Sequence, residues 1–149
     1  MDNSNLWPSL EEIMKSEKDS PMLFLRQQGE FLKNISAELS YRINEDYCFN
    51  AKFPLDKCKI HGEFPVEYSP NNVIDASFQI TRKNKIYTGE ILRIRYTMSK
   101  NYPIDVYDCC NGHLYRISSI EEFEQCLSTV FNSSNCMAQI RYILSDAVA

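Results

Sequence analysis

Residues 74 to 81, Ile74-Asp-Ala-Ser-Phe-Gln-Ile-Thr81, alternate apolar and polar side chains without a break. In an extended chain successive side chains point to opposite faces. Ile74, Ala76, Phe78 and Ile80 therefore share a face to be buried, and Asp75, Ser77, Gln79 and Thr81 one open to water. A strand wet on one side belongs to an antiparallel sheet, so this octet decides the fold class.

The neighbouring segments extend the sheet. After a turn at Arg82-Lys-Asn-Lys85, Leu92, Ile94, Tyr96 and Met98 alternate with Arg93, Arg95 and Thr97, which predicts a hairpin with a bulge at Gly89. A second hairpin is expected where Ile104-Asp-Val-Tyr107 and Leu114-Tyr-Arg-Ile117 flank Asn111-Gly112, the preferred pair for a two-residue type I′ turn. Such a turn would make Cys110 and His113 cross-strand neighbours. Segments 46–53 and 64–68, close to prolines, read as edge strands.

Helical signals bracket this β-rich block of residues 46–117. Ser9-Leu-Glu-Glu12 is a capping-box pattern, and Ser20-Pro21 sets an N-cap before a proline at the first helical position. Phe24, Gln28, Phe31, Ile35, Leu39 and Ile43 recur every three or four residues, predicting one long helix from Pro21 to about Ile43. At the other end, Ser118-Ser-Ile-Glu121 reads as a capping box. It opens a helix with Ile120, Phe123, Leu127, Val130 and Phe131 on one stripe, and a last helix carries Met137, Ile140, Ile143, Leu144 and Ala147 inward. The expected architecture is one α+β domain over 1–149, helical in 1–43 and 118–147. Its central antiparallel sheet would have about four to six strands, with two N-terminal and two C-terminal helices packed mainly on one face.

Composition narrows the function classes. The chain is 44% hydrophobic and 12% aromatic with a net charge of −4, enough apolar material for a core and too little charge for a disordered chain. No apolar run approaches the roughly 20 residues that cross a bilayer, and Met-Asp-Asn-Ser-Asn-Leu-Trp-Pro8 lacks the basic-then-apolar pattern of a secretory signal. The expected location is the cytosol, away from membranes, with the six cysteines as thiols or metal ligands.

Three sets of residues invite a functional reading. Cys58-Lys-Ile-His61 and Cys110-Asn-Gly-His113 each hold a Cys and a His two residues apart and contain the chain's only two histidines. Cys58, His61, Cys110 and His113 would make one tetrahedral structural zinc site if the two turns met. The same histidine suggests a thiol nucleophile, Cys109 or Cys110 beside His113 with Asp105 or Asp108 as orienter, although no helix amino terminus is offered to the thiolate. Arg82, Lys83, Lys85, Arg93 and Arg95 lie between acidic flanking blocks. They would give one hairpin face a positive charge able to meet nucleic-acid phosphates, or merely a solvated face. Finally Trp7, Leu10, Ile13 and Met14, with Tyr41 at the border of the long helix, form an apolar margin for a protein partner or a second copy.

Enzyme templates are absent from the sequence: no serine elbow, phosphate loop or dinucleotide fingerprint occurs, and the chain has only four glycines. The reading that follows is a non-enzymatic, cytosolic protein-interaction module of the immunity-protein, antitoxin or adaptor kind, able to form a homodimer. The alternatives are a nucleic-acid-associated protein using hairpin 82–100, with or without the zinc site, and an enzyme with an unfamiliar site. No cofactor other than that zinc is expected.

Overall fold

Inward-facing apolar residues of five strands and three of four helices meet in one core in the computed structural model, which describes residues 5–15, 20–48, 73–84, 88–97 and 100–145, with backbone alone at 46–48. Helices α1 (Leu10–Met14) and α2 (Pro21–Glu30), the latter continued by a 3-10 turn at Phe31–Asn34, precede the strands. The strands are β1 (Leu39–Cys48), β2 (Val73–Arg82), β3 (Thr88–Thr97), β4 (Lys100–Asp108) and β5 (His113–Ile117). Helices α3 (Ile120–Phe131) and α4 (Ser134–Leu144) follow. Each strand pairs antiparallel with the next, in the order β1-β2-β3-β4-β5. The α+β class is as the alternating octet predicts, with β2 at its expected position.

Register explains which face the helices cover. Tyr41 pairs with Ile80, Ile43 with Phe78, Phe78 with Leu92, Ala76 with Ile94 and Ile94 with Val106, so these side chains share one face, and most are fully buried. The aromatic rings of the helices lie against them and each other: Phe24 of α2 meets Phe123 of α3 at 5.9 Å, and Phe131 meets Phe78 at 6.1 Å. Burying a side chain such as Phe123 stabilises the fold by about 1.5–3 kcal/mol relative to exposure, so this face is where the sheet holds its helices.

Four local expectations are corrected. The long helix to Ile43 ends at Glu30; the 3-10 turn follows, and residues 39–48 form the first strand. Ser36 ends the helical run: its hydroxyl accepts from the Glu38 N–H at 3.2 Å and its carbonyl from the Leu39 N–H at 3.1 Å, offering the backbone a turn instead of another helical bond. The bulge in β3 falls at Ile91, between the pairs Phe78–Leu92 and Gln79–Glu90, rather than at Gly89. Gly89 sits where α4 crosses β3, since a Cβ there would come within 2.8 Å of Gln139 and 2.9 Å of Ile143.

The third correction concerns the β4–β5 loop. Asp108 pairs with His113, leaving four residues, Cys109 to Gly112, in the turn, and only Gly112 in it has a positive φ, of 75°. A type I′ turn needs two residues in that region, so Cys110 and His113 are not cross-strand partners. The reason is Asp108, whose carboxylate accepts from the Cys110 and Asn111 N–H groups at 2.8 and 3.0 Å and so winds the loop into a wider turn. The α3 capping box is likewise shifted by one: the Ser119 hydroxyl accepts from the Glu122 N–H at 3.2 Å and Glu122 accepts from the Ser118 N–H at 2.7 Å. The remaining caps fall as expected, with Ser9 accepting from Glu12 at 3.1 Å and Ser20 from Leu23 at 3.4 Å.

Candidate interaction surface

Helix α1 has a well-formed start and, among the described residues, nothing to pack against. Ser9 caps it and Glu11 and Glu12 occupy its first turn, where the helix dipole favours negative charge. Leu10, Ile13 and Met14 fall on one face, with Leu6 and Trp7 leading into it. None of the helix residues is buried, and these five apolar side chains are 45 to 93% exposed. An isolated helix of this length is marginal in water, and helical stability in proteins comes mainly from a packed apolar face. Here that face has no intramolecular counterpart among the described residues.

A second apolar feature opens on the helical layer. Between the end of α2 with its 3-10 turn and helix α4 lies a cleft of about 220 Å³, walled by Phe31, Leu32, Ile35, Phe131 and Ile140 and floored by Phe78 and Ile80. Gln28, Asn132 and Cys136 complete its lining. An adjoining depression of about 280 Å³ runs between α2 and α3 and shares Gln28, Phe131 and Asn132 with it, so the two make one groove. Phe31 and Ile35, on its outer wall, are 57 and 59% exposed.

Tyr41 is not on this open margin. It lies on β1 beneath α2, its ring stacked on Phe78 at 6.0 Å and against Gly29, where a Cβ would come within 2.5 Å of the ring. Burial and the neighbouring Glu30 carboxylate raise the Tyr41 phenol above its ordinary value.

The basic hairpin is largely neutralised by its own carboxylates. Arg95 and Asp75 form a buried two-pronged pair at 2.8 and 3.2 Å, and Arg93 contacts Glu90 at 2.9 Å. Arg82 bridges to Glu38 at 3.0 Å and donates to the Ile143 and Ser145 carbonyls, closing the end of α4. Lys83 is exposed in the turn, and Lys85 lies outside the described residues. Glu90 also accepts from the Ser77 hydroxyl at 2.6 Å; burial would raise its carboxyl, but Ser77 and Arg93 outweigh that and hold it below the usual range. A phosphate contacting Arg93 or Arg95 would have to displace these partners.

The Cys-x-x-His turns are not brought together as a described site. Cys58 and His61 lie outside the described residues, and among the described residues no three His, Cys, Asp or Glu side chains converge to hold a metal ion. Cys110 turns inward against the core and its thiol pairs with that of Cys136, whereas His113 is exposed and meets the edge of Tyr115 at 6.4 Å. Nucleophilic chemistry is equally disfavoured. The Cys109 thiol donates to Glu90 at 3.6 Å, and burial followed by that carboxylate pushes it up to about 12, while burial and Asp108 do the same to Cys126. Both stay protonated at neutral pH. Asp108, named as a possible orienter, is buried and engaged by the loop: Asn111 Nδ2 donates to it at 2.8 Å and to Ser133 Oγ at 3.1 Å, fastening β4–β5 to the start of α4.

Composition flagged α1, but the groove was missed, because Phe31 and Ile140 are far apart in sequence and each reads as core on its own stripe. No known protein family, curated protein or solved structure matches the chain.

Proposed function

We propose that this protein is a non-enzymatic protein-interaction module, of the immunity-protein, antitoxin or adaptor kind, working through the apolar face of α1. The observation that carries the reading is a capped helix whose Leu10, Ile13 and Met14, with Trp7 before it, face solvent. Contiguous apolar patches on small domains mark surfaces that another molecule covers. Supporting it, the thiols at Cys109 and Cys126 are held protonated, and Arg93 and Arg95 are committed to carboxylates, so the basic hairpin offers phosphates less than its charge suggests.

The test is the double substitution Leu10→Asp with Ile13→Asp. Each removes an apolar contact worth about 1.5–3 kcal/mol when fully buried, so association should weaken by roughly 100-fold or more. The circular dichroism spectrum and urea midpoint should stay at wild-type values, because neither residue is buried in the monomer. Light scattering that finds association unchanged, or a variant that unfolds, contradicts the reading.

A further inference from the structure

We propose that Cys110 and Cys136 form a redox switch, a disulfide that closes under oxidation, ties the β4–β5 loop to the start of α4, and reopens under reduction. Separate contacts bring the two residues together. Asn111, the residue after Cys110, donates to Ser133 Oγ at 3.1 Å and accepts from Asn135 Nδ2 at 2.8 Å, and Asn135 precedes Cys136. The loop and the helix are thus fastened one residue away from each cysteine.

The strand beneath them gives the same placement. From the loop side, the Cys110 sulfur reaches the Ile91 carbonyl of β3 at 3.9 Å. From the helix side, Cys136 shares one face of α4 with Gln139 and Ile143, which meet β3 at Gly89, two residues from Ile91. Cys136 is fully buried there, and Cys110 packs against the edge of the same core. The Cys110 thiol donates to the Cys136 sulfur, a hydrogen bond that lowers the Cys136 thiol below its ordinary value against burial and the Asp108 carboxylate.

A disulfide spans Cα atoms about 4.4–6.8 Å apart, so thiols already in contact are the ones that close with little backbone movement. The other described thiols point elsewhere: Cys109 donates to Glu90 at 3.6 Å, and Cys126 is buried on α3. A bond from Cys110 to Cys136 encloses β5 and α3 in one covalent loop, which restricts the unfolded chain and fixes α4 to the sheet. Cys136 and Ile140 also line the apolar cleft, so the switch sets how firmly one wall of that groove is held.

The chemistry is thiol–disulfide exchange with a small disulfide such as glutathione disulfide. Cys110, the more exposed of the two, attacks one oxidant sulfur as a thiolate and releases the other, leaving a mixed disulfide. The Cys136 thiolate then attacks the Cys110 sulfur and releases the second glutathione. The two protons lost by the cysteines pass to the two released thiolates, and the two electrons lost by the pair are gained by the oxidant.

The experiment equilibrates the full chain with glutathione and glutathione disulfide at a series of ratios, quenches it in acid, alkylates the free thiols and maps the bonds by fragmentation mass spectrometry. A Cys110–Cys136 bond should appear at oxidising ratios and vanish at reducing ones, and Cys109→Ser should keep it. Oxidation should raise the urea midpoint of the wild type and leave that of Cys110→Ser, a change at the edge of the core, where it was. No such bond at any ratio, a chain that stops at glutathione on Cys110, a bond that reduced glutathione never reopens, or a midpoint equal in both states overturns the proposal.

Discussion

At the scale of single residues, the sheet face away from the helices is held by charges that sequence alone leaves as either a nucleic-acid patch or a solvated face. Asp75 with Arg95 and Glu90 with Arg93 turn a run of cations into internal ion pairs. The sequence shows the cations but not their partners, because Asp75 and Arg95 lie 20 residues apart and meet only through the β2–β3 register. Glu90 gives this arrangement a pH signature. Its folded-state carboxyl titrates below the usual value near 4.5, so its contribution to stability is present above that value and lost as pH falls through the depressed one. The stability difference between wild type and Glu90→Gln should be largest near neutrality and shrink on acidification through the carboxylate range. Urea titrations at a series of pH values measure it, and a difference independent of pH would contradict the assignment. The Cys-x-x-His reading fails at this scale too, for Asp108 gathers the loop and the Cys110 thiol turns to Cys136.

At the scale of elements, α2 meets β1 where Gly29 lies over the Tyr41 ring. Replacing glycine by alanine inside an exposed helix ordinarily stabilises by about 1 kcal/mol. Here the added Cβ would lie 2.5 Å from a ring already stacked on Phe78, and overpacking costs about 1–3 kcal/mol, so the clash wins. Gly29→Ala should therefore lower the urea midpoint, and a raised midpoint would show that α2 stands further from β1. The same junction shows why part of the fold was legible and part was not. Leu39 and Ile43 are four residues apart, a spacing that fits a helix stripe, but Tyr41 between them shares their buried face and makes the period two. Strand β2 was legible because its alternation is unbroken, and α3 and α4 because their stripes are long and capped. The boundary at 31–39 depended on Ser36 and on packing against β2, which periodicity alone does not register.

At the scale of the whole molecule, the helical layer of the described residues carries an apolar groove, while the first helix stands away from the core. The apolar margin at Trp7, Leu10, Ile13 and Met14 was readable from sequence, since a capping box and an apolar stripe sit together there. The groove was not, because it joins α2, the 3-10 turn, α3 and α4, which only the folded chain assembles. Trp7 is the chain's one tryptophan and lies 82% exposed at the entrance to α1, so its fluorescence reports on this surface alone. If α1 docks on a second copy, the Trp7 emission maximum shifts to the blue as concentration rises from nanomolar to high micromolar, and the shift disappears in Leu10→Asp with Ile13→Asp. An emission maximum that keeps its water-exposed position at every concentration would contradict the account.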